Sequence, residues 1–163
     1  MVNWFPEYIV DKTVYPIVIC GGGREYLALY CYTKSDDALI GDGKNVLCFH
    51  DETEIRRFCE DAGLTIEWIP GKYDFDEPIE NPIRYSKVLD RWNLLNTIAG
   101  MFGMYFAGNE RKYDGLYDLL FRCSTSAVEI AERVYLNEKH IRQLQKIFCK
   151  KGRFLKRFKR CRQ

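Results

Sequence analysis

Three consecutive glycines, Gly21-Gly22-Gly23, separate two runs rich in Val, Ile and Tyr, Thr13 to Cys20 and Glu25 to Thr33. Glycine reaches positive φ without steric penalty, so this break between two strand-prone runs predicts a β-hairpin with a tight turn. In the second run Tyr26, Ala28, Tyr30 and Tyr32 alternate with Leu27, Leu29 and Cys31. Both faces are partly apolar, and a strand of that kind is expected to lie under helices on one side. A third short strand is expected over Asn45 to Phe49, after the turn Gly41-Asp42-Gly43, and a fourth over Leu64 to Ile69, before Pro70-Gly71.

Between those two strands Asp51 opens a helix. Glu54 completes a capping box with it, Ile55, Phe58, Cys59 and Ala62 form the apolar stripe, and Gly63 stops the helix. The segment from Tyr73 to Pro82 holds two prolines, four carboxylates and no helical or strand period, which predicts an exposed loop. Beyond it the period changes. Val88, Leu89, Trp92, Leu95, Ile98, Ala99, Phe102 and Tyr105 recur every three or four residues, which predicts a long helix over Ser86 to Phe106. Asn109 is placed to cap a further helix running through Cys123, and Asn137 another that carries Ile141, Leu144, Ile147 and Phe148. Gly152 marks the end of that helix or a kink, and Ala127 to Tyr135 reads as ambiguous, with a short helix as one option.

Strands first and helices second predict an α+β fold, in which a small, mainly antiparallel sheet of the N-terminal half packs against a C-terminal helical bundle. The strand-rich part spans 1–70 and the helical part 84–163, in a single domain covering 1–163. An apolar content of 47% suffices to fill one core in 163 residues. No apolar run approaches the roughly 20 residues of a membrane span, and the first residues carry no secretion signal. Seven cysteines without a CxxC pair, several inside apolar runs, read as reduced side chains in a cytoplasmic protein.

The small net charge of +2 conceals a separation along the chain. From Lys34 to Pro82 there are thirteen acidic residues against five basic ones, whereas Lys139 to Gln163 holds eleven Lys or Arg and no acid. In the tail, Phe154, Leu155, Phe158 and Cys161 would share one helical face with cations elsewhere. Docking onto the body, with the cations solvated or facing the acidic middle, and binding to nucleic acid are the two main readings of that pattern.

Few residues suit catalysis. His50 and His140 are the only histidines, and a nucleophilic pairing of His50 and Asp51 with Cys48 or Cys59 is outweighed by strand-end and capping roles. The glycine triplet lacks the GK[ST] ending of a phosphate loop and is followed by a strand. No metal motif occurs, and the carboxylates of Asp74-Phe75-Asp76-Glu77 read better as displayed charge than as chelators, so no metal, cofactor or catalytic residue is expected. Proteins that neutralise nucleases often present carboxylates where the enzyme holds phosphates, and Asp74, Asp76, Glu77 and Glu80 are the candidate partner-binding residues on that ground.

The stretch Asp74-Phe75-Asp76-Glu77-Pro78-Ile79-Glu80-Asn81-Pro82-Ile83, with Tyr85 to Ala99 and Tyr113 to Phe121 after it, resembles immunity proteins of bacterial contact-dependent growth inhibition and related polymorphic toxin systems. The resemblance covers the central and C-terminal two thirds of the chain. It implies a cytoplasmic, non-enzymatic protein that binds the C-terminal domain of a cognate toxin, commonly a nuclease, and occludes its active site. The family offers no shared functional motif, so no residue role carries over. The alternative reading is a nucleic-acid-binding protein that uses the basic C-terminal helix.

Overall fold

The computed structural model describes residues 4–68, 71–125 and 133–160. The expected strand end at Ile69, most of the ambiguous stretch (127–132) and Cys161 lie outside them.

The hairpin forms where the glycines place it. Strands β1 (Thr13–Gly21) and β2 (Arg24–Tyr32) pair antiparallel, with register running from Val14↔Cys31 to Gly21↔Arg24. Gly22 and Gly23 alone make the turn, at φ 61° and 72°, a pair of left-handed residues whose twist matches that of the flanking strands. A short β3 (Asp37–Leu39), not anticipated from the sequence, joins the outer edge of β2. Strand β4 (Val46–Cys48) occupies the expected third position, while the fourth shrinks to β5 (Thr65–Ile66).

The architecture is α+β, as the order of elements predicts, and the sheet is mixed. Its long central pair is antiparallel, but β5 and β6 (Lys72–Asp74) both run parallel to β1. Strand β4 pairs in parallel with β7 (Phe158–Arg160), the last element described.

Helix α1 (Glu52–Ala62) starts and stops as its caps dictate. The Asp51 carboxylate accepts the Glu54 N–H at 2.9 Å, and Gly63 takes the left-handed conformation at φ 70°. The Glu54 carboxylate accepts from the N–H of His50, one residue earlier than a strict capping box places it. Helix α2 (Tyr85–Phe102) ends at Gly103, φ 61°, short of the expected Phe106. Phe106 therefore leaves the helix and turns back on Trp92, with ring centroids 6.4 Å apart. A Cβ at Gly108 would lie 2.5 Å from the Phe106 ring, so this return needs a glycine. The chain then makes two short 3-10 turns, and α3 (Asp114–Thr125) begins without Asn109, which was expected to cap it. Asn137 does cap α4 (Glu138–Phe148), accepting the N–H of His140 at 2.8 Å.

The alternation of the strands divides the interior into two cores. Ala28, Val46 and Cys48 point toward α2, α3, α4 and the short α5 (Lys151–Leu155), while Leu29, Cys31, Leu47 and Phe49 point toward α1. The sheet is thus covered on both faces, where one was expected. In the larger core Leu95, Ile98, Leu120 and Leu144 are fully buried, and truncating any one of them to Ala should cost about 2–5 kcal/mol.

The tail departs from its expected form. Phe154, Leu155 and Phe158 are buried, as docking requires, but the helix stops at Leu155 and Phe158 enters a strand beside Val46. The open edge of β4 supplies hydrogen bonds that a further helical turn would have to make internally, beginning with Val46 N–H donating to the Arg157 carbonyl at 2.6 Å.

Candidate interaction site at the acidic loop

The segment expected to be a free loop is tied down along its length. Its first residues form β6, which adds to the β1 edge at Val18 to Cys20, and Phe75 and Ile79 insert into the larger core at 2% and 8% exposure. Their apolar side chains, spaced among the acids, are the reason the loop is held down. Four side chains from elsewhere in the fold then grip its backbone, and its own Asn81 reaches out to the backbone of Leu136. Arg91 of α2 donates to the Glu77 carbonyl at 2.9 Å, and Gln145 of α4 donates to the Ile79 carbonyl at 2.8 Å. Lys151 of α5 donates to the Phe75 carbonyl. The Asn81 amide exchanges two hydrogen bonds with the backbone of Leu136, at 2.7 and 2.9 Å, and Arg133 reaches the Pro82 carbonyl at 3.4 Å.

Within this frame the four acidic residues have different fates. Asp76 turns back onto the hairpin, where Oδ1 accepts the Gly22 N–H at 2.8 Å and Oδ2 the Gly23 N–H at 3.0 Å. These two donors, helped by Lys151 at 3.9 Å, hold its carboxyl below the ordinary range. The glycine turn does grip an anion, and that anion is the chain's own carboxylate. Asp74 is half-buried and accepts the Asp76 N–H at 2.9 Å. Glu77 is half-buried and Glu80 exposed, and neither carboxylate is engaged in a hydrogen bond or ion pair among the described residues.

Arg91 is the residue that sequence reasoning missed. It is 4% exposed, lies over the Phe148 ring at 5.6 Å, and makes no ion pair among the described residues. Burial lowers its pKa, while the fields of Glu77 and Asp74 act in the opposite sense. A charge-assisted hydrogen bond such as that to the Glu77 carbonyl is worth about 1.5–3 kcal/mol. The available signal was the spacing Arg84, Lys87, Arg91, which puts three cations on one face of α2.

The residues weighed for catalysis are not brought together. Cys48 faces the larger core and Cys59 the smaller, on opposite sides of the sheet. Burial pushes the Cys59 thiol up to about 11, away from the low value a nucleophile requires. His50 lies past the end of β4, exposed, and His140 sits half-buried in the first turn of α4. Among the described residues no group of three His, Cys, Asp or Glu is placed to hold a metal ion, and no helix is long and apolar enough to cross a membrane. The cations of the C-terminal part divide by face. Lys139, Arg142, Lys146 and Lys150 stand exposed opposite the buried Ile141, Leu144, Ile147 and Phe148, with no ion pair among the described residues.

No protein-family model matches the sequence, and no curated protein matches it at a significant level. Among solved structures, the chain is similar to the crystal structure of the SatS C-terminal domain in complex with bromine. The TM-score is 0.56 at 14% identity, with 93% of this chain and 96% of that one covered. At that identity the likeness concerns the fold alone.

Proposed function

We propose that this protein is an immunity protein that binds a cognate toxin domain of nuclease chemistry and neutralises it by covering the active site. The carrying observation is the fixed acidic loop. Contacts from α2, α4 and α5 hold its backbone and the hairpin turn holds its Asp76 carboxylate, while the carboxylates of Glu77 and Glu80 make no hydrogen bond or ion pair among the described residues. A loop already held in shape loses little conformational freedom on association, so its charge contributes to affinity and to the rate of encounter with a phosphate-binding surface.

The test is co-expression with the C-terminal domain of a toxin encoded beside this chain, followed by affinity measurement. The Glu77→Gln, Glu80→Lys double variant should bind roughly tenfold or more weakly with an unchanged circular dichroism spectrum. Equal affinity of variant and parent removes the loop from the interface, and lack of binding by the parent removes the reading itself.

The second reading, nucleic-acid binding, draws on the exposed cations of α4, which face solvent without carboxylate partners among the described residues. It predicts a gel shift at physiological salt that Arg142→Glu with Lys146→Glu abolishes. Deleting the tail is the wrong test, because Phe154, Leu155 and Phe158 belong to the core.

A further inference from the structure

The cleft behind the acidic loop carries an inference independent of the toxin reading. Two adjoining cavities, of about 260 and 510 Å³, share Glu77, Arg84 and Arg91 as common walls. The larger adds Lys72 from β6 and Lys87 from α2, opposite Asp74 and Asp76. The larger cavity therefore carries four cations against three carboxylates, and two of those carboxylates, Asp74 and Asp76, also accept main-chain N–H groups.

Three further features favour an anion there. Arg91 is 4% exposed and its Nε is buried without a hydrogen-bond partner. The Nε of Arg84 is likewise buried and unpaired, and its guanidinium makes no hydrogen bond or ion pair among the described residues. Arg84 also occupies the N-cap of α2, an 18-residue helix with no side-chain cap and no acidic residue in its first turn. The Arg84 side chain thus does not cap the N–H groups that open this helix, and the positive end of the helix dipole adds to the cations beside it. Buried guanidinium donors left without partners are costly, and a planar fork of such donors matches a tetrahedral oxyanion well.

We propose that the cleft between β6 and the first two turns of α2 binds a phosphate-class oxyanion, held by Arg84 and Arg91 with Lys72 and Lys87 around it. The ligand chemistry is that of free phosphate or of a phosphomonoester. Arg91 supports the loop as well as facing the cavities, so the informative variants are Arg84→Gln and Lys87→Ala at the rim.

The experiment follows thermal stability and calorimetric binding of the whole chain with inorganic phosphate, phenyl phosphate and chloride at matched ionic strength. Phosphate should raise the melting temperature saturably and chloride should not. Each rim variant, folded to the same spectrum, should bind roughly tenfold more weakly, as loss of one charge-assisted contact implies. Preference for inorganic phosphate assigns the free ion, and equal or tighter binding of phenyl phosphate assigns a phosphomonoester. A response that does not saturate, one matched by chloride, one undiminished in both variants, or binding of an oligonucleotide without either small phosphate overturns the proposal.

Discussion

The Asp76 carboxylate closes over the β1–β2 turn, one oxygen on the N–H of Gly22 and the other on the N–H of Gly23, at 2.8 and 3.0 Å. Because these donors favour the ionised form, the folded carboxyl lies below its ordinary value of 3.8. A group depressed on folding contributes stability above its unfolded pKa and loses that contribution as pH falls through the folded value. Asp76→Asn should therefore be less stable than the parent at pH 7. Denaturation curves of the two should converge as the pH drops below the normal carboxyl range, and a gap that persists unchanged at low pH would refute the linkage.

Two glycines should respond to alanine with opposite signs. At Gly41 a Cβ would sit 2.3 Å from the backbone oxygen of Asn45, which cannot move without breaking the turn. Gly41→Ala should cost about 2–3 kcal/mol. Gly100, inside α2, has nothing within 4 Å of an added Cβ, and Gly100→Ala should stabilise by about 0.5–1 kcal/mol. Urea unfolding of both variants decides the signs.

Removing the C-terminal aromatic ring should unfold the body rather than trim an appendage. Phe158 is 5% exposed, with its ring 5.3 Å from that of Tyr26, and its strand pairs with β4. Phe158→Ala should cost about 3–5 kcal/mol. An unshifted denaturation midpoint would show that β7 is dispensable.

Thiol labelling should rank the cysteines by burial. Cys149 is exposed, whereas Cys31 and Cys59 are closed off and burial pushes their thiols up to about 12 and about 11. Since the thiolate is the reactive species, mass spectrometry after a short pulse of reagent should find Cys149 modified and Cys31 and Cys59 untouched until denaturant is added. Rapid modification of native Cys59 would contradict its burial on the face of α1 that packs against the sheet.

The local elements were legible in the residues because the forces that set them act over one or two turns of chain. Gly22 and Gly23 supply a positive-φ pair between two β-prone runs. Asp51, Gly63 and Asn137 mark helix ends with their own side chain or backbone freedom. The stripes of α2 and α4 follow from a period of three or four.

The hairpin, most of the caps and the order of strands before helices follow from the residues alone. Which distant group meets which was settled by the folded chain. Asp76 finds its donors 53 and 54 residues away. Phe158 becomes a strand residue because β4 offers an open edge, although its spacing suits a helix equally well. Arg91 reads as a surface cation until the loop and Phe148 close around it. Hydrogen-bond donors and sheet edges are satisfied by whatever the folded chain brings near, and periodicity along the sequence carries no record of that choice.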